Sequence, residues 1–417
     1  MYHAALPAAP CLIRALPAML LLLAACRPAP HPTEGPAGAG TAAAGVGGVD
    51  LDDPAACRTC HGAIVEAWET SQHARAHHSR DPIFAAMRTR RMAVEGDGLA
   101  RACGQCHGPR DTAEPESAVA ATGVSCATCH AVADVGTEGH GAQRLTWTTG
   151  STLLGPHDLA PGASPAHGTG PSPPHMQDGS QLCLSCHGVM TNPHGVATCT
   201  TGSEFAEADT GGSCVGCHMP WVEAPSGVVS SRARHRSHAF AGPHHAARNL
   251  DPALARTALS LATGVLEGAM LHVSLSHQSA HAWPSGFPGR MGVVQIRGFD
   301  ADGAPVWEVD AGAPTPSPPG LRLGRFFEDA DGQPVAAAFA QRETADTRMA
   351  AASHRLWSQS IPGTVTALEV SVVHHLLPPP AMASMGLADS ADHAPLPIHH
   401  HRLERTADGW REAGGAH

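Results

Sequence analysis

Apolar and polar positions alternate with a period of two in several stretches of the C-terminal half of this chain, but not before about residue 250. Val293 to Phe299 runs into Asp300-Ala301-Asp302-Gly303 and then Val306 to Val309, a pattern that predicts strand, turn and strand. Arg325-Phe326-Phe327, Asp329-Ala330-Asp331-Gly332 and Val335 to Phe339 repeat it, and Thr364 to Val373 alternates again. Short strands separated by Asp-Gly turns predict an antiparallel β-sandwich domain over residues 260–410. Residues 50–250 read differently, as short helical segments between long Pro-, Gly- and His-rich connections. Ile64 and Trp68, four apart, mark the apolar face of a helix that continues toward His73. The expected fold class is therefore multidomain, a mainly α-helical and irregular domain followed by the β-sandwich.

The N-terminus reads as an export signal over residues 1–25. Arg14 supplies the positive charge and Ala15 to Ala25 the apolar core, which is too short to span a bilayer comfortably. Leu23-Ala24-Ala25-Cys26 resembles a bacterial lipobox, so Cys26 is the expected site of lipidation and of membrane attachment. Residues 26–49, rich in Pro, Gly and Ala and without periodicity, form the expected flexible tether. Arg27 follows the cysteine, so an aspartate retention signal for the inner membrane is absent there. The expected location is the periplasmic side or the cell surface of a bacterium.

The irregular half carries the strongest chemistry. Cys57-Arg58-Thr59-Cys60-His61, Cys103-Gly104-Gln105-Cys106-His107, Cys126-Ala127-Thr128-Cys129-His130, Cys183-Leu184-Ser185-Cys186-His187 and Cys214-Val215-Gly216-Cys217-His218 are five copies of Cys-x-x-Cys-His. In this motif two thiols add across the haem vinyl groups, and the adjacent histidine meets the iron. A single copy could be a redox dithiol or half a zinc site, but five copies, each ending in histidine, exclude both readings. Of 13 cysteines, ten belong to these motifs, Cys11 and Cys26 lie in the leader, and only Cys199 is left over. No disulfide framework remains, and five covalently bound haem c groups are the expected staples.

About 200 residues then serve five haems, in a volume whose radius of gyration is roughly 16 Å. The porphyrins must form the core of that half, each within tunnelling reach of a neighbour.

Charge and histidine content narrow the partners. The formal charge is -11, and every basic residue is arginine, since the chain has no lysine. An acidic exterior argues against nucleic acid as a partner and is compatible with a basic redox protein. Of 30 histidines, His3 lies in the leader and five sit in the motifs, which leaves 24, more than five distal iron ligands would use. Two histidine ligands close an iron to substrate and suit it to electron transfer, whereas an empty sixth position permits chemistry. Met219 directly follows His218 and cannot reach the far face of the same haem, and Met87, Met92, Met176 and Met190 read as core packing.

The first motif followed by Trp68-Glu69-Thr70-Ser71-Gln72-His73 resembles the cytochrome c-554-like multihaem c-type family. So do Gly123-Val124-Ser125 before the third motif, Ser164-Pro165-Ala166-His167 before the fourth, Cys217-His218-Met219-Pro220 at the fifth, and His238-Ala239-Phe240-Ala241-Gly242 after it. His281-Ala282-Trp283-Pro284-Ser285-Gly286-Phe287-Pro288-Gly289-Arg290 is similar to a signature of the C-terminal β-domain of larger members, a likeness of architecture that implies no ligand. Residue by residue, the resemblance implies His73, His140, His167 and His238 as distal ligands. His175, just before the fourth motif, is the expected fifth. His77, His157, His194, His235 and His244 are reserves.

The function so implied is electron transfer in a respiratory chain. The expected partners are redox proteins, either other cytochromes or a membrane quinol-linked complex, and no catalytic residue is assigned. The alternative is a multihaem oxidoreductase acting on a small nitrogen or sulfur compound at one five-coordinate haem. Two devices of related enzymes are missing: there is no lysine to replace the motif histidine, and the only tyrosine, Tyr2, lies in the leader.

Overall fold

The structure is a computed structural model and describes residues 49–243, 253–266, 269–309, 321–390 and 394–413. The expected leader, Cys26, all but the last residue of the tether, and His244 lie outside the described residues.

Eight α-helices are described in the N-terminal half; apart from the single turn Pro174–Gln177 they are α1 (Arg58–Glu69), α2 (Pro82–Glu95), α3 (Leu99–His107), α4 (Cys126–His130), α5 (Ser180–His187), α6 (Thr201–Ala208) and α7 (Cys214–His218). Every Cys-x-x-Cys-His motif occupies one helical turn. That turn places the two cysteines, three apart, on one face with the histidine beside them. In α3, α4, α5 and α7 the motif histidine is the last helical residue. In α1 the motif opens the helix, and the backbone breaks from helical geometry at His61 (φ -120, ψ 38). Between the helices the chain forms loops and two-stranded ribbons such as Val132–Val135 with Leu145–Trp147.

The C-terminal half is antiparallel sheet. Its strands are β1 (Leu259–Leu266), β2 (Met270–His277), β3 (Met291–Phe299), β4 (Pro305–Val309), β5 (Arg322–Leu323), β6 (Arg325–Glu328), β7 (Arg342–Asp346), β8 (His354–Ser360), β9 (Ala367–His375), β10 (Leu396–Thr406) and β11 (Gly409–Glu412). The larger sheet runs β4-β3-β9-β10-β11 with β5 also on β3, the second runs β8-β2-β1, and β6 pairs with β7. One apolar cluster joins residues of both sheets, among them Leu271, Val273 and Leu275 of β2 with Ile296 of β3 and Leu368, Val370 and Val372 of β9. Strict alternation of burial along β2 is the pattern of strands with one face on a core.

The expected hairpin across Asp300–Gly303 forms, with β3 and β4 paired through Glu308↔Arg297 and Val309↔Ile296. The expected strand at Val335–Phe339 does not. The Asp329–Gly332 turn closes and Val335 bonds to Phe327, but Ala337–Phe339 then coil into a 3-10 turn, and β6 pairs with β7 instead. The reason lies in the partner. Asn192 of the N-terminal half donates to the carbonyls of Ala337 and Ala340, both at 2.8 Å, and these small side chains are buried against the sheet.

A buried carboxylate holds the seam between the halves. Glu204 of α6 accepts hydrogen bonds from Arg348 (2.6 Å), Ser285 (2.6 Å), Thr200 (2.5 Å) and the Ala282 amide (3.2 Å). Burial pushes its carboxyl up, but the bonds from Ser285 and Thr200 and the Arg348 charge outweigh this and hold it below the ordinary carboxylate value. A carboxyl depressed in the folded state stabilises above its unfolded value, about 4.3, and that stabilisation is lost as pH falls through the folded value. Glu204→Gln is therefore expected to cost about 2–4 kcal/mol at neutral pH. It should also flatten the acid limb of stability, as read by denaturant unfolding at pH 7 and pH 3; an unchanged acid limb would remove Glu204 from this role.

Candidate haem centre

The motif helices surround one large continuous cavity of about 2450 Å³. A pocket for a single small molecule measures about 300–1,000 Å³, so this interior has room for several large groups. All ten motif cysteines and all five motif histidines line it. Among the described residues, no buried apolar cluster is built from the N-terminal half alone. Flat macrocycles would supply the packing that side chains do not, and the thiols and imidazoles present are the donor set that c-type haem requires.

The motifs touch one another. The Cys57 and Cys126 side chains interact directly, as do Cys106 with Cys186 and Cys183 with Cys214. Cys129 lies within electrostatic reach of Cys186. The fourth motif thus neighbours the second, third and fifth, and the third neighbours the first.

Hydrogen bonds prepare the imidazoles. Nδ1 of His61 lies 2.5 Å from the Ser226 carbonyl, that of His107 2.6 Å from Ala76, that of His130 2.7 Å from Leu154 and that of His218 3.0 Å from Ala241. A carbonyl only accepts, so Nδ1 carries the proton and the Nε2 lone pair is left for a metal. Burial, above all, lowers the proton affinity of His107 and His187 to a pKa of about 4 and depresses His130 and His218. These rings are neutral at physiological pH, as ligation requires.

Three further histidines face motif histidines across the cavity. The ring centroids of His73 and His187 are 6.3 Å apart with planes at 43°, and those of His130 and His238 6.2 Å at 23°. His218 and His281 stand 6.2 Å apart at 15°. Burial drives the pKa of His73 to about 3 and that of His238 to about 4.

Local structure explains both positions. The Val124 amide donates to the His73 carbonyl, and Trp68 Nε1 donates to the Val124 carbonyl at 2.9 Å. Gly123, at φ +72, packs so closely that a Cβ would meet the His73 carbonyl at 2.6 Å. One short loop serves three sites. His238 faces His130, Phe240 packs on the His73 ring at 4.3 Å, and Ala241 accepts from His218.

The other expected ligands are placed differently. His167 and His235 line the cavity with Nδ1 bonded to the carbonyls of Gly168 (2.9 Å) and Ala224 (2.8 Å). His140 also borders the cavity but is exposed, its side chain accepting a backbone amide in the cap of the turn Gly141–Arg144. His175 is 3% exposed, bonds to the Val132 carbonyl, has no partner for Nε2, and is not among the cavity-lining residues. Of the reserves, His157 borders the cavity, and His194 receives a hydrogen bond contact from Gln341 at 3.1 Å. Both ring nitrogens of His77 are engaged, by Ser79 and the Pro115 carbonyl. His281 carried no ligand assignment from sequence. Its signal was the β-domain signature, which contains the residue but not the identity of the ring opposite.

Five Cys-x-x-Cys-His motifs on one cavity wall are the donor set of a multihaem c-type cytochrome. Residues 56–131 match the family described as Cytochrome c554 and c-prime. In fold, the chain is similar to a penta-heme cytochrome c552 from Thermochromatium tepidum, with a TM-score of 0.69, 22% identity, and coverage of 83% of this chain and 97% of that one. No curated protein matches the sequence. Among the described residues, no helix is long and apolar enough to cross a membrane.

Proposed function

We propose that this chain is an extracytoplasmic electron-transfer protein that holds five haem c groups and is anchored by lipid on Cys26. The observation that carries the reading is the one cavity lined by all five motifs. Haem iron, when bound, supplies a reversible one-electron couple. The residues supply the rest. Cys57 and Cys60, Cys103 and Cys106, Cys126 and Cys129, Cys183 and Cys186, and Cys214 and Cys217 attach the groups, and His61, His107, His130, His187 and His218 present Nε2 to them.

Rings facing one another at 6.2–6.3 Å would let two imidazoles hold one group between them. On that spacing His73 is the distal partner of His187, and His238 that of His130. His61 lies in the electrostatic surroundings of both His130 and His238, with His167 also near the first and His235 near the second, which supports His167 or His235 as the partner of His61. His140 and His175 stand outside this pattern, one exposed and the other away from the cavity wall.

The domains proposed are residues 50–250 for the haem part and 260–410 for a β-sandwich, a reading supported by the core common to the two sheets. Export by residues 1–25, the 26–49 tether, a place in a respiratory chain, and partners among other cytochromes or a quinol-linked complex complete the proposal.

A second reading attaches to His107. Its ring stacks on Phe84 at 3.7 Å, and of the histidines nearest it, His77 is committed to Ser79 and Pro115 and His78 to Glu116. An iron held there without a second imidazole would be the open site of an oxidoreductase for a small nitrogen or sulfur compound.

Low-temperature electron paramagnetic resonance on the haem-loaded protein separates the readings. The carrier is expected to be low-spin throughout and insensitive to nitric oxide and cyanide. One high-spin centre per chain that binds them, and is lost with Cys103→Ala/Cys106→Ala, would replace the carrier with the enzyme.

A further inference from the structure

The β half enters the cavity at one point that the electron-transfer reading does not require. His281 lies in the loop between β2 and β3, and its ring is nearly parallel to that of His218, at 15° with centroids 6.2 Å apart. Nδ1 of His281 lies 2.9 Å from the Ala282 carbonyl, and Nδ1 of His218 lies 3.0 Å from the Ala241 carbonyl. Both rings therefore carry their proton on the same atom and keep Nε2 as a lone pair, the tautomer a metal takes. Both border the common cavity.

The loop is fixed at close quarters. The amide and carbonyl of Trp283 pair with Met349, at 2.8 and 2.9 Å. The Ala282 amide and Ser285 hydroxyl bond to Glu204, and Ser285 also meets Thr201 at 2.9 Å. Residues on both sides of the seam thus set the position of His281, and a ligand needs such support to hold its geometry.

We infer that His281 is the sixth ligand of the iron carried by Cys214, Cys217 and His218, so that the β half completes the last haem site instead of merely adjoining it. The inference rests on the fifth motif carrying a haem. It gives the Glu204–Arg348–Ser285 seam a second role, because that seam sets the distance between the two imidazoles.

The test uses the full-length, haem-loaded protein. Mass spectrometry of the peptide containing Cys214 to His218 comes first. If that peptide carries no haem in the unaltered protein, the underlying reading fails there and this inference falls with it. With haem present, His281→Ala is expected to gain one high-spin centre per chain relative to the unaltered protein, and added imidazole should abolish the new signal. A variant that retains all its haem and shows the unaltered spectrum overturns the assignment. Should His281→Ala not accumulate, His281→Met decides. Thioether ligation would raise the potential of one centre and leave the others in place, whereas an unchanged set of potentials overturns the assignment equally.

Discussion

The chain produced without haem attachment is expected to be unfolded over residues 50–243. The N-terminal half lines most of a cavity of about 2450 Å³, closed on one side by the β half, and has no buried apolar cluster of its own among the described residues. A domain stable by about 5–15 kcal/mol cannot tolerate so large an unfilled interior. Limited proteolysis of a version lacking residues 1–25, made in the cytoplasm, is the direct check. Digestion of the N-terminal half with protection confined to the β half is the expected pattern, since the sheets have their own core. A protease-resistant N-terminal half in haem-free protein would contradict the claim that the cofactors are its core.

Cys183→Ala together with Cys186→Ala should be the most damaging loss of a single attachment site. Loss of one attached group would leave a void in a half that has no apolar cluster of its own among the described residues. The fourth motif also neighbours three others, side by side with Cys106 and Cys214 and within electrostatic reach of Cys129. The variant is expected to accumulate at a small fraction of the unaltered yield. Any protein recovered should carry four haems and exchange electrons slowly between the groups left on either side. The comparison is Cys57→Ala with Cys60→Ala, a site whose Cys57 neighbours Cys126 of the third motif. Equal yields and equal internal reduction rates for the two double variants, measured by stopped-flow absorbance, would show that the fourth site is not central.

How much of this was legible depended on how local each determinant is. Cys-x-x-Cys-His is one helical turn, so its geometry is complete within five residues, and all five copies stand on the cavity wall. The hairpin of β3 and β4 was equally local, because Asp300 and Gly303 close it by themselves. Val335 to Phe339 carried the same strand signal, but Asn192 bonds Ala337 and Ala340 from the other half, and a distant residue leaves no trace in a local pattern. The distal histidines divide along the same line. His73 opens a 3-10 turn just past the end of α1, where a helix continuing toward it was expected, and His238 sits in a distinctive five-residue loop, so both could be singled out. His281 could not, because only the tertiary fold brings a β-half loop opposite α7. His140 and His175 had similar sequence context to the others, yet one caps a turn at the surface and one bonds within the N-terminal half.

The order of residues along the chain gives these pairings a history. On the proposed assignment His73 precedes His187, so the fourth iron meets its distal ligand as soon as the motif emerges. His238 follows His130 by more than a hundred positions, and it comes with the loop that also carries Phe240 and Ala241. His130 would therefore lack the ring that faces it until nearly the whole N-terminal half had been made. The same loop would then dock against three sites in one event, and maturation would end with a latch and not with a gradual zipping.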